Sequence, residues 1–135
     1  MTTYMFKKLD KYRDFGLLLL RVGVGLVFIL IHGWPKLSGG AAKWELIGGS
    51  MKFFGFTFAP VFWGFMSAFT EFFSGVSLLL GLFVRPMMIL LTINMAVALT
   101  SHLGGPWGNM AYAIVVLTFA VSMFIIGPGK YSFDK

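Results

Sequence analysis

Four long apolar runs, separated by polar or glycine-rich segments, dominate the hydropathy pattern of the chain. They lie at residues 15–34, 60–83, 86–103 and 110–127. Each run falls within the roughly 17–25 residues that an α-helix needs to cross a bilayer. The prolines stand at the ends of the runs or in the connections, where a missing N–H does least harm. The pattern therefore predicts four transmembrane helices.

The connections between the runs predict how these helices are arranged. Only the first connection is long, and in it Trp44, Ile47, Met51 and Phe54 recur at helical spacing. This spacing predicts a short amphipathic helix in the first outer loop, lying on the membrane surface or capping the bundle. The other connections are short, which favours antiparallel neighbours. We expect residues 1–135 to form a single all-α domain, an integral membrane four-helix up-and-down bundle.

Composition and charge support a membrane protein. The chain is 58% hydrophobic and 12% charged, with a mean hydropathy of +0.84. Its net charge of +6 comes from basic residues that flank the runs, so we expect them to set topology, and we expect no nucleic-acid partner. With the N-terminus inside, the inner side carries Lys7, Lys8, Lys11, Arg13, Arg85, Lys130 and Lys135, and the outer side Lys36, Lys43 and Lys52. This asymmetry predicts a multi-pass protein of the cell inner (plasma) membrane with both termini cytoplasmic.

Two charged residues of opposite sign, Arg21 and Glu71, lie inside the first and second runs. A charge near the centre of a membrane helix costs about 2.5–3.5 kcal/mol on insertion scales, so both side chains should face the interior of the bundle. We favour direct contact between them. The alternative is that Arg21 reaches the inner head groups and Glu71 is protonated or bonds Asn94 or a neighbouring hydroxyl. The pair is either a latch that fixes helix register or part of a functional site.

Other polar candidates lie near the ends of the runs. His32 and His102 both end their spans on the outer side, where they could meet as a proton relay, a quinone-carbonyl donor or a haem-iron site. Two histidines without a third ligand are weak evidence for a metal, and we predict none. The simpler interpretation is a pair of interfacial histidines bonded to water or backbone. The chain has no cysteine, so any electron chemistry requires a borrowed cofactor or partner.

Several motifs together resemble a known family. They are Arg21-x-x-x-Gly25-x-x-Phe28-x-x-x-His32-Gly33-x-x-Lys36-Leu37, Glu71-x-x-x-Gly75-x-x-Leu78-x-x-Gly81-x-x-x-Arg85-Pro86 and Gly127-Pro128-Gly129-x-x-Ser132-x-Asp134. This combination resembles the DoxX family and covers nearly the whole chain. The resemblance implies a small four-helix membrane protein related to the membrane subunit of thiosulfate:quinone oxidoreductase. It also implies that Arg21, His32, Glu71 and Arg85 are polar-site residues.

These observations lead to two main functional hypotheses. In the first, the chain is a non-autonomous membrane subunit of a redox complex with a quinone or lipophile site. Glu71 would carry a proton, Arg21 would be its charge partner, and His32, Asn94, His102 and Arg85 would supply further polar groups. A soluble or membrane protein partner would share the catalysis, and the chain could also form a homo-oligomer. In the second, the protein binds lipids or small lipophiles as a non-catalytic scaffold. Proton-coupled transport ranks third, because no inverted repeat is evident.

Overall fold

The computed structural model describes residues 6–134, which form five main helices, a short 3-10 helix at Gly49–Phe54 and no strand. The helices are α1 (Lys7–Leu37), α2 (Ala41–Gly48), α3 (Pro60–Leu80), α4 (Val84–His102) and α5 (Trp107–Ile126). All except α2 are long and apolar enough to cross a membrane. The prediction of an all-α membrane bundle is therefore confirmed. We call the end that carries both termini the termini end, and the opposite end the loop end.

Helix α1 is longer than the first apolar run because its geometry changes along its length. It starts with 3-10 turns at Lys7–Tyr12, is α-helical over Arg13–Val27, and widens to a π-helix at Phe28–Gly33. The α-helical form resumes at Trp34–Leu37. Pro35 was expected to follow the span, but it lies in the first turn of this last segment, where its missing N–H is tolerated.

The turn between α3 and α4 also differs from its predicted bounds. Helix α3 ends at Leu80 rather than at residue 83, because Gly81 takes a left-handed conformation with φ of 69°. Helix α4 then starts at Val84, so Pro86 lies inside its first turn instead of opening it. The two helices are therefore joined by a tight turn at the termini end.

Helix α3 is the central element of the bundle. The apolar window of α3 is 44% buried, against 17–22% for the windows of α1, α4 and α5, which leave most of their apolar surface for lipid. Helices α1 and α4 pack against different sides of α3, and helix α5 packs on α4. The buried core between them includes Phe28, Leu78, Met88 and Leu91.

Glycines allow α1 to approach the backbone of α3 closely. A Cβ atom on Gly25 would lie 2.8 Å from the carbonyl oxygen of Gly75, and one on Gly33 would lie 2.5 Å from the Cα atom of Phe72. The missing side chains at these glycines thus let the two helices pack closely. Because Gly33 ends the π-helix, the buried stripe of α1 passes from Phe28 to Gly33 with a spacing of five residues.

Helix α2 packs directly against the start of α3. Any Cβ atom on Gly64 would collide with the carbonyl oxygen of Trp44, and one on Gly48 would collide with that of Pro60. The indole of Trp44 donates a hydrogen bond of 2.9 Å to the carbonyl oxygen of Lys36. The first loop therefore contains a helix, as predicted, and that helix is docked on the side of α3.

Candidate functional site

The Glu71 carboxylate is paired with a lysine. Glu71 lies near the middle of α3 with its side chain only 2% exposed, and its Oε1 atom is 2.7 Å from Nζ of Lys36 in the last segment of α1. The lysine side chain is 28% exposed, so its stem is largely covered while it delivers its charge to the carboxylate. This ion pair offsets the cost of a buried charge within the bundle.

Helix α4 supplies a second donor to the same carboxylate oxygen. The side-chain amide of Asn94 donates to Oε1 of Glu71 at 3.3 Å, and its own oxygen accepts a bond of 2.7 Å from the Ser67 hydroxyl. The carboxylate sets the amide orientation, because it only accepts hydrogen bonds and so faces the amide nitrogen, which leaves the amide oxygen to the Ser67 hydroxyl. Three helices therefore converge on one oxygen atom.

The other oxygen of this carboxylate has no partner. Oε2 of Glu71 is buried and makes no hydrogen bond within residues 6–134. The nearby Thr70 hydroxyl donates to the carbonyl oxygen of Met66, which commits it to its own helix. A buried carboxylate oxygen without a donor is costly and marks a position where a ligand group could bind.

Glu71 and its partners line a cavity of about 530 Å³ at the loop end of the bundle. Its walls come from α2 and the following turn, the first half of α3 and the second half of α4. Most lining side chains are apolar; the polar ones include Lys36, Ser67, Glu71, Asn94 and His102. Among the lining residues of α3, Glu71 is the one closest to the termini end. The indole nitrogen of Trp63, another lining residue, is also buried without a partner.

The expected contact between Arg21 and Glu71 is absent. The guanidinium of the fully buried Arg21 donates to the carbonyl oxygens of Leu78, at 3.2 Å, and Tyr131. Leu78 is seven residues beyond Glu71 on α3, which corresponds to roughly 10 Å along the helix axis. The arginine extends toward the termini end, where carbonyl oxygens accept its hydrogen bonds, while Glu71 lies nearer the loop end within reach of Lys36. The two charges are thus both buried but have different partners.

Arg85 also lies at the termini end. Its side chain donates to the carbonyl oxygens of Phe124 and Ile125, at 3.0 and 3.2 Å, and so caps the last turn of α5. Arg85 therefore lies apart from the cavity that contains Glu71, Asn94 and His102.

The two histidines occupy different surroundings. His102 lines the cavity at the end of α4, whereas the ring of His32 packs on that of Tyr112 with 4.7 Å between their centroids. The Glu71 carboxylate is near enough to act electrostatically on both His32 and Tyr112. The hydroxyl of Tyr112 is buried without a hydrogen-bond partner. His32 therefore belongs to a contact between α1 and α5.

Sequence reasoning missed Lys36 and Trp63 as parts of this site. Lys36 was interpreted as a topology signal beyond the outer end of its span, although it lies four residues after His32 and so on a nearby helical face. Trp63 lies near the outer end of the second run, where a tryptophan is typical of an interfacial anchor. A spacing of eight residues places it on a similar face of α3 to Glu71, and this was the available signal.

Together, the fold and the cavity define a small multi-pass membrane protein with a buried, charge-paired carboxylate in the wall of a largely apolar cavity. The chain belongs to the DoxX family, whose family model matches residues 16–104. The match confirms the resemblance seen in the sequence motifs. The chain is also similar to a protein of Bacillus subtilis (strain 168) named "Putative oxidoreductase CatD", with 29% identity over 128 residues, 93% of this chain and 90% of that protein. No solved structure matches the chain.

Proposed function

We propose that this protein is the membrane subunit of a redox complex, and that its cavity binds the polar head of a quinone or a similar lipophile. The observation that carries the proposal is the Glu71 carboxylate, 2% exposed, in the wall of a largely apolar cavity among membrane helices. Ionisable groups in such positions mark ligand or proton pathways more often than not. The name of the Bacillus subtilis relative supports a redox role.

The residues present fit a quinone-type ligand. A volume of about 530 Å³ lies within the range of small-molecule sites, and the mixture of apolar walls with a few convergent polar groups is typical of them. A bound quinone would supply two-electron, two-proton redox chemistry. Ser67 and Asn94 would hold the carboxylate in position, and Lys36 would balance its charge. His102, at the end of α4, would contribute a further polar group.

Within this proposal Glu71 takes up or releases a proton during the redox reaction. Its Oε2 atom is the proton-carrying position, because Oε1 already accepts two hydrogen bonds. The electrons come from a protein partner, since the chain offers no cysteine for thiol-based transfer. Arg21 and Arg85 are assigned to holding the termini end together, and His32 to the contact with Tyr112.

We also propose that the protein lies in the cell inner (plasma) membrane with both termini in the cytoplasm. The support is the excess of lysine and arginine on the side of the termini.

Native mass spectrometry of the mildly solubilised protein, with extraction and identification of copurifying lipophiles, tests the proposed ligand. Wild type is compared with Glu71→Gln and with Glu45→Gln, a matched change at an exposed carboxylate of α2. We expect a quinone in wild type and in Glu45→Gln, and its loss from Glu71→Gln. Phospholipid alone in all three proteins would contradict the proposal and favour a lipid-binding scaffold.

A further inference from the structure

We infer that the cavity selects lipophiles whose polar head donates a hydrogen bond, so that a hydroquinone or phenol binds more tightly than the matching quinone. This inference rests on the proposed function and specifies the form of the ligand that the cavity prefers. The atom that makes the selection is Oε2 of Glu71, a buried acceptor with no partner within residues 6–134.

The hydrogen-bonding capacity of Glu71 determines what a ligand must bring. An ionised carboxylate accepts hydrogen bonds and donates none. In the contact with the ammonium of Lys36 at 2.7 Å, the Glu71 carboxylate acts as the acceptor. Oε1 already receives Lys36 and Asn94, so a ligand that reaches Oε2 must supply a proton donor.

The neighbouring protein donors are committed elsewhere. The Ser67 hydroxyl bonds Asn94, and the Thr70 hydroxyl bonds the carbonyl oxygen of Met66. The amide of Asn94 cannot turn without placing its oxygen against the carboxylate. These contacts leave Oε2 as the acceptor for a ligand hydroxyl, and they hold the carboxylate in place before the ligand arrives.

A carbonyl-only head group would leave this oxygen unsatisfied. Burying a charged acceptor without a donor is more costly than burying a neutral one, and the difference corresponds to at least tenfold in affinity. We therefore expect the reduced form to bind about tenfold or more tightly than the oxidised form. Tighter binding of the reduced form raises the reduction potential of the bound couple, by about 30 mV for each factor of ten in a two-electron couple. The site would thereby favour electron transfer from the partner into the bound quinone.

Three probes of nearly equal size separate hydrogen-bond donation from apolar fit. They are a short-chain hydroquinone kept reduced under anaerobic conditions, the corresponding quinone, and the hydroquinone dimethyl ether, which cannot donate. Dissociation constants are measured on the purified full chain in detergent or nanodiscs. In wild type and in Glu45→Gln we expect the hydroquinone to bind at least tenfold more tightly than both other probes. In Glu71→Gln the preference should disappear, because the charged acceptor is gone and hydroquinone binding falls to the level of the other two probes.

The possible outcomes distinguish this inference from the proposed function. Equal binding of hydroquinone, quinone and dimethyl ether to wild type would overturn the inference while leaving a lipophile site intact. Retention of the preference in folded Glu71→Gln would also overturn it, because another acceptor would then be responsible. If none of the three probes binds, the proposed function fails together with the inference. The wild-type comparison decides the matter even where the variant does not fold.

Discussion

The Nζ atom of Lys36 lies 2.7 Å from Oε1 of Glu71, so the buried carboxylate of α3 is neutralised from the last segment of α1. The pair links two helices that already meet through Gly33 and Phe72. The contact ties the buried charge of α3 to the part of α1 at the loop end of the bundle. Both residues also line the cavity. The charge balance of the site therefore depends on a residue outside the first apolar run.

Removing Lys36 alone should be more harmful than removing both charges. We expect Lys36→Met to lower the free energy of unfolding by about 3 kcal/mol, because it leaves a buried carboxylate without its cation. The double change Lys36→Met with Glu71→Gln should recover most of this loss. SDS titration in mixed micelles measures both, with Lys43→Met as the exposed control. Additive losses in the double variant would show that the pair is not coupled.

The sequence predicts the four membrane helices well because spanning a bilayer imposes a length and an apolar composition that are visible residue by residue. It predicts less well which charges meet. The positions of Arg21 and Glu71 in the apolar runs place the two side chains within reach of each other. The runs do not show toward which end of the bundle each side chain extends. The π-helix at Phe28–Gly33 and the extension of α1 to Leu37 bring Lys36 to the carboxylate, and neither feature has a signal in the apolar pattern.

Arg21 should prove to be a structural residue of the termini end. We expect Arg21→Met to lower the free energy of unfolding by about 3 kcal/mol, because charged hydrogen bonds to Leu78 and Tyr131 are lost from a buried position. Hydroquinone affinity should remain within about twofold of wild type, since the guanidinium lies roughly 10 Å along the helix axis from Glu71. Arg13→Met, at an exposed position of α1, is the matched control. A folded Arg21→Met with clearly weakened binding would return Arg21 to the ligand site.

The docking of α2 on α3 should require glycine at positions 48 and 64. We expect Gly48→Ala and Gly64→Ala each to destabilise the protein by about 3 kcal/mol, because the added methyl group collides with a backbone carbonyl that cannot yield easily. Gly49→Ala is the matched control, since a Cβ atom there meets nothing within 4 Å. Thermal unfolding in detergent, followed by size-exclusion chromatography, provides the comparison. Equal stability of all three variants would show that α2 is not held against α3.

The same substitutions test whether α2 forms a wall of the ligand cavity. Leu46 and Ile47 line the cavity from α2, and Met51 lines it from the 3-10 helix that follows, so displacing α2 should open the cavity. We expect Gly64→Ala to weaken binding of the hydroquinone dimethyl ether as much as that of the hydroquinone, because apolar contact is lost and the Glu71 acceptor remains. Isothermal titration of the two probes makes the comparison. A selective loss of hydroquinone binding would contradict this division of roles.

The proposed topology can be tested with single cysteines, because the chain contains none of its own. Lys43→Cys and Lys130→Cys introduce thiols at exposed positions of α2 and of the C-terminal segment, respectively. With both termini in the cytoplasm, a membrane-impermeant maleimide should label intact cells carrying Lys43→Cys. It should label cells carrying Lys130→Cys only after permeabilisation. The cysteine-free parent gives the background, and labelling of both variants after permeabilisation shows that each thiol is reactive. The reverse pattern would show the opposite topology, with the loop end and the Glu71 cavity toward the cytoplasm. The proton and the electron partner would then be expected on the cytoplasmic side.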